Sequence, residues 1–93
     1  MPRLLTPEVA QRLLKLVDAL SEDRYVSTRE LKQRFSEWSH LVYYDLRLLE
    51  QMGIVEKLVK PHTNIRYWRL RVCREKAQKL IESRVMNVTV HVQ

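Results

Sequence analysis

Five side chains within the nine residues 39 to 47 are the best equipped for chemistry in this chain: Ser39, His40, Tyr43, Tyr44 and Arg47, in the stretch SHLVYYDLRLLEQMGIV from Ser39 to Val55. Val42, Leu46 and Leu49 recur there at the spacing of one helical face. With that face turned inward, the five polar residues point outward along the first three turns, and all five carry hydrogen-bonding groups. Such a face is equipment for touching base edges or phosphates. A merely solvated face is the bland alternative, but two adjacent exposed tyrosines are costly for solubility alone.

The helix that carries them must stop at Gly53, the only glycine of the chain, because a left-handed residue is needed there and glycine adopts it without steric penalty. Beyond Gly53 the pattern changes period. Ile54 to Val59 is rich in branched residues, Lys60-Pro61-His62-Thr63-Asn64 reads as a turn with proline and asparagine supplying the bends, and Ile65 to Leu70 again favours extended structure. The expected hairpin carries Lys57, Lys60, Arg66 and Arg69.

These cations belong to a marked charge asymmetry. The chain has a formal charge of +6, yet residues 1 to 56 hold eight Lys/Arg and nine Asp/Glu, whereas residues 57 to 79 hold eight Lys/Arg and only Glu75. The excess is concentrated in one segment. A polyanion such as nucleic acid is the natural partner for it, since neutralised phosphates release condensed counterions.

At 93 residues, 45% apolar and 30% charged, the chain should form one small domain over residues 1–93 with a single modest core. MPRLL leads into a helix cap and not into a long apolar run, so neither a signal peptide nor a transmembrane segment is expected, and the chain is expected in the cytoplasm. Cys73 stands alone, with the role of a small, partly buried apolar residue or, less favoured, of a bridge between two copies. With three scattered histidines it gives no recognisable metal-ligand spacing, so no metal or cofactor is expected. The single glycine rules out a glycine-rich phosphate loop, and no catalytic spacing is recognisable; an enzyme is not expected.

The other elements frame the polar helix. Thr6-Pro7-Glu8 is a helix start, with a side-chain cap, a proline at the first helical position and an early acid. Val9, Leu13, Leu16, Val17 and Leu20 then form an apolar stripe running to about Ser21. Leu4, Leu5 and Leu14 lie off it, as extra core or as half of a dimer contact. Tyr25 and Val26 can form a very short strand. Ser27-Thr28-Arg29-Glu30 fits a capping box for a second helix, with Leu31 and Phe35 inward, ending near Phe35 or Ser36. Only Ser36, Glu37 and Trp38 separate it from the polar helix, so the two must cross sharply, with Trp38 as a core plug at the corner. Arg74 to Arg84 can form a last helix with Ala77, Leu80 and Ile81 on one side. From Met86 to Gln93, apolar Met86, Val88, Val90 and Val92 alternate with polar residues, the pattern of a terminal strand. Its partner is either the hairpin of its own chain or its counterpart in a second copy, and the Val-rich edge favours the second.

The order helix, short strand, helix, helix, hairpin, helix resembles the winged helix-turn-helix domains of small prokaryotic and archaeal transcription regulators of the MarR and ArsR type, including compact versions carried by archaea and their viruses. The matching residues are Val42, Leu46, Leu49 and Gly53-Ile54-Val55, which look like a recognition helix and its exit, and Tyr67-Trp68-Arg69-Leu70, which look like the returning wing strand. The resemblance spans Thr6 to Ile81. It implies an α+β fold with a three-helix core, a β-hairpin wing, a short C-terminal helix and the terminal strand. It further implies that Ser39, His40, Tyr43, Tyr44 and Arg47 occupy the major groove of DNA, while Lys57, Lys60, His62, Asn64 and Arg66 of the wing reach the neighbouring minor groove or backbone. The recognition helix lacks the cysteines of ArsR-type metal sensors, and the short last helix leaves no pocket of the MarR kind, so no small-molecule ligand is expected. The expected function is sequence-specific binding of double-stranded DNA by a homodimeric transcription regulator. A winged-helix module for protein partners in a replication or transcription complex is the alternative.

Overall fold

Local capping signals decide where the helices start. In the computed structural model, which describes residues 4–85, Thr6 Oγ1 accepts a hydrogen bond from the Val9 amide at 3.3 Å and Pro7 opens helix α1, Pro7–Ala19. Ser27 Oγ likewise accepts from the Glu30 amide at 3.1 Å and starts α2, Thr28–Arg34. The Glu30 carboxylate does not complete the capping box; it faces Arg24 Nη2, 3.5 Å away. A 3₁₀ turn over Ser36–Trp38 leads into α3, Ser39–Gln51. Gly53 takes φ +78°, as a left-handed exit requires, and the chain turns into the sheet.

Strands β2, Val55–Val59, and β3, Arg66–Leu70, pair antiparallel from Val55 opposite Leu70 to Val59 opposite Arg66. A two-residue strand β1, Val26–Ser27, adds to the free side of β3, giving the order β1-β3-β2. Helix α4, Arg74–Glu82, packs against α1. The described residues thus form an α+β fold of four α-helices and a small three-stranded antiparallel sheet.

One core joins all of them. Leu13, Leu16 and Val17 of α1 meet Val42, Leu46 and Leu49 of α3, and Val55, Trp68 and Leu70 close it from the sheet side, with Leu31, Ala77 and Ile81 from α2 and α4. The first helix ends at Ala19, two residues earlier than its stripe suggests, because Leu20 leaves helical geometry (φ −99°, ψ 161°) to plug the core at 1% exposure. The leucines off the stripe divide: Leu5 is buried, Leu14 is half-buried and Leu4 is exposed.

Two further expectations are refined and one, for Cys73, is corrected. Trp38 packs against the core from its edge, half-buried and stacked on Phe35 at 4.7 Å, while the fully buried indole is that of Trp68. Cys73 is exposed, because it occupies the extended position just before α4 while its neighbour Val72 packs on the core. In the hairpin turn Pro61 supplies a bend as expected, and His62 beside it takes the left-handed conformation (φ +67°). The expected terminal strand, Met86 to Gln93, lies outside the described residues; just before it, Val85 forms a parallel bridge with Leu5. No described helix is long and apolar enough to cross a membrane.

Candidate nucleic-acid interface

Helix α3 is inward along Val42, Leu46 and Leu49, and its opposite stripe is His40, Tyr44, Arg47 and Gln51, all exposed. Tyr44 is 67% exposed, a large aromatic surface on a helix side that no described element covers. Ser39 and Tyr43 depart from the outward expectation: both are half-buried, Tyr43 because it lies a partial turn round toward the hairpin. The Tyr43 ring stands edge-on to Trp68 with centroids 6.4 Å apart, and the Arg66 guanidinium carbon lies over it, 5.3 Å from its centroid.

Between the start of α2, α3 and the hairpin runs an open groove of about 880 Å³. Its cations are Arg29 and Lys32 from α2 and Arg66 from β3; Ser27, Thr28 and Asn64 add hydroxyl and amide groups; His40, Tyr43, Tyr44 and Tyr67 supply rings. Among the described residues, no carboxylate lines it. The described lining of the groove is therefore cationic, an arrangement suited to a phosphate backbone.

Four of the expected site residues lie elsewhere. Arg47 borders a second groove, of about 450 Å³, between the start of α1 and α3, beside Leu4, Val9 and Leu48. Lys57 is exposed on β2, and His62 is exposed in the turn. Lys60 sits over Tyr67 with its Nζ 5.1 Å from the ring centroid. His40, Tyr43, Tyr44, Asn64 and Arg66 are brought together in the larger groove, whereas Ser39, half-buried at the first turn of α3, is not part of its lining.

The concentration of charge in residues 57 to 79 overstates what that segment offers a partner. Arg69 is bonded to Glu56, which raises its pKa above the ordinary arginine value, and it stacks over Tyr25 at 4.9 Å. Arg74 donates to the carbonyls of Leu20 at 2.9 Å and Val17 at 3.4 Å, closing the C-terminal end of α1. Conversely, Arg29 and Lys32 come from the half of the chain with no net positive charge. Their signal was their spacing of three on the side of α2 opposite Leu31, hidden when charges are summed over a long segment.

Sequence reasoning also missed Asp45. It lies within the apolar side of α3, 2% exposed, and receives Arg12 of α1 in a bidentate pair, Nε to Oδ2 at 2.8 Å and an Nη to Oδ1 at 3.2 Å. Hydrogen bonding to Asp45 raises the Arg12 pKa above its ordinary value against the opposing effect of desolvation. The pair joins the helix bearing the exposed stripe to the first helix. Its signal was one acid between Val42 and Leu46 on the inward face; its partner, 33 residues away, had none.

Among the described residues, no three His, Cys, Asp or Glu side chains lie close enough to hold a metal ion. Comparisons of the chain with family models, with curated proteins and with solved structures find no match.

Proposed function

We propose that the chain is a winged helix-turn-helix module that binds double-stranded DNA sequence-specifically and acts as a transcription regulator. The observation that carries the reading is the groove between α2, α3 and the hairpin, lined by Arg29, Lys32 and Arg66 and by no carboxylate among the described residues, beside an exposed stripe of His40, Tyr44 and Arg47. The element order and the three-stranded sheet are compatible with a winged helix.

In this reading α3 enters the major groove with His40, Tyr44 and Arg47 toward base edges. Arg47 pairs with guanine, where a good bidentate contact discriminates by about 1–3 kcal/mol. The backbone of one strand runs through the groove between α3 and the hairpin, against Arg29, Lys32 and Arg66. Lys57, Lys60, His62 and Asn64 reach the adjoining minor groove or backbone, adding affinity more than specificity. Two copies on a palindrome would set their α3 helices about 34 Å apart, one turn of duplex.

The test is the affinity for mixed-sequence duplex as a function of salt. Three phosphate contacts give a slope of log K against log salt of about −2.7. Selection from a random duplex pool should then yield a preferred site. Negligible duplex binding at low salt would remove this reading in favour of a module for protein partners.

A further inference from the structure

Tyr43 has the sequence position of a base-contacting residue and the surroundings of a supporting one. Its ring meets Trp68 edge-on at 6.4 Å, and Trp68 is fully buried. Trp68 Nε1 donates to Thr28 Oγ1 at 2.7 Å, and Thr28 Oγ1 donates in turn to the carbonyl oxygen of Arg66 at 3.3 Å. The Arg66 guanidinium completes the circuit by lying over Tyr43, 5.3 Å from its centroid. Arg66 is therefore held at two points from two different helices, its backbone by α2 and its side chain by α3.

That holding matters because Arg66 is exposed and begins the returning strand just after the hairpin turn. An arginine there with nothing beneath it would sample many rotamers and lose that freedom on meeting a phosphate. An aromatic face under the guanidinium removes part of the loss beforehand, and it leaves the outer N–H groups free to donate.

We propose that Tyr43 is a positioning residue for Arg66: the flat ring, braced by Trp68 and Thr28, pre-sets the hairpin arginine toward the groove between α3 and the hairpin, where it meets a phosphate of the bound duplex. The inference rests on the duplex reading above. It assigns the work to the ring and not to the hydroxyl, which separates it from a direct base contact by Tyr43.

The experiment is a double-mutant cycle on duplex affinity, using the whole chain. Arg66→Ala weakens binding about tenfold in the wild-type background, the scale of one charge-assisted contact. In a Tyr43→Leu background the same change costs only about twofold, a coupling of about fivefold, as expected for one cation–π contact. Tyr43→Phe binds within about twofold of wild type, since it keeps the face under Arg66. A Phe variant as weak as the Leu variant overturns the proposal, because the hydroxyl would then be touching DNA; so does an Arg66→Ala effect that is equal in both backgrounds. Should Tyr43→Leu not fold, proton chemical shifts of free wild-type protein decide the point. Arg66 side-chain protons shifted upfield of those of Arg29 and Arg47, and likewise in Tyr43→Phe, support the placement over the ring; unshifted Arg66 signals overturn it. Wild-type protein that ignores duplex at low salt refutes the DNA reading separately, while the shifts still report where Arg66 sits.

Discussion

Removing Arg12 should damage this fold more than removing its partner Asp45, although the two share one ion pair. The asymmetry follows from exposure: the Asp45 side chain is 2% exposed and that of Arg12 22%. With Arg12→Met the carboxylate stays between α1 and α3 with no cation and little water, and breaking a buried pair in this way costs about 3 kcal/mol or more. With Asp45→Asn the guanidinium keeps one acceptor, and its long stem lets the rest of it turn to solvent, so the cost is about 1 kcal/mol. For a domain of this size 1 kcal/mol corresponds to about 4–8 °C, which puts the Arg12→Met variant about 12–24 °C below wild type. The double variant Arg12→Met with Asp45→Leu should recover most of the loss, because two apolar groups of similar volume need no partner there. Thermal and urea unfolding followed by circular dichroism measure all three. The exposed pair Arg24 with Glu30, at 67% and 56%, is the internal control, and Arg24→Ala should change stability by less than about 0.5 kcal/mol. The reasoning fails if Arg12→Met is as mild as Arg24→Ala, or if Asp45→Asn proves the more damaging of the two.

Three other outcomes are expected. Thr28→Val strands the buried Trp68 indole N–H and should cost about 2 kcal/mol in urea unfolding, with faster exchange of that proton, whereas Thr28→Ser should keep both near wild type. Gly53→Ala should cost about 1 kcal/mol, the backbone penalty alone, because a β-carbon there would meet no atom within 4 Å; a much larger loss would mean a clash. Arg47→Ala should flatten the preference for a selected site over random duplex, while Lys32→Ala should weaken all duplexes alike and reduce the salt slope by about 1.

What could be read from the sequence was what neighbouring residues decide among themselves. Thr6 with Pro7, the Ser27 hydroxyl and Gly53 mark element ends through bonds or dihedrals within a few residues, and the structure has them in those roles, although the Glu30 carboxylate turns to Arg24 and leaves the capping box half made. The two hairpin strands were legible for the same reason. Residues whose roles are set by distant partners were not legible. Asp45 reads as a break in an apolar face until Arg12 is brought beside it, and Arg74 reads as a free cation until the end of α1 arrives under it. Tyr43 differs from Tyr44 only by about 100° around the helix, yet that turns one toward Trp68 and leaves the other exposed. The cations of α2 were concealed by arithmetic, since acids elsewhere in the first half cancel them in a sum but not in space.

Ser27 holds two offices at once. It is the last residue of β1, opposite Tyr67, and the same residue caps α2 through its hydroxyl. A helix of seven residues has no independent persistence in water, and a two-residue strand has even less. Neither therefore exists before the hairpin has docked, and both must dissolve together when it leaves. The α2 amides should accordingly exchange with deuterium at the rate of the β3 amides, as a single opening unit, and not at the rate of a fraying surface helix.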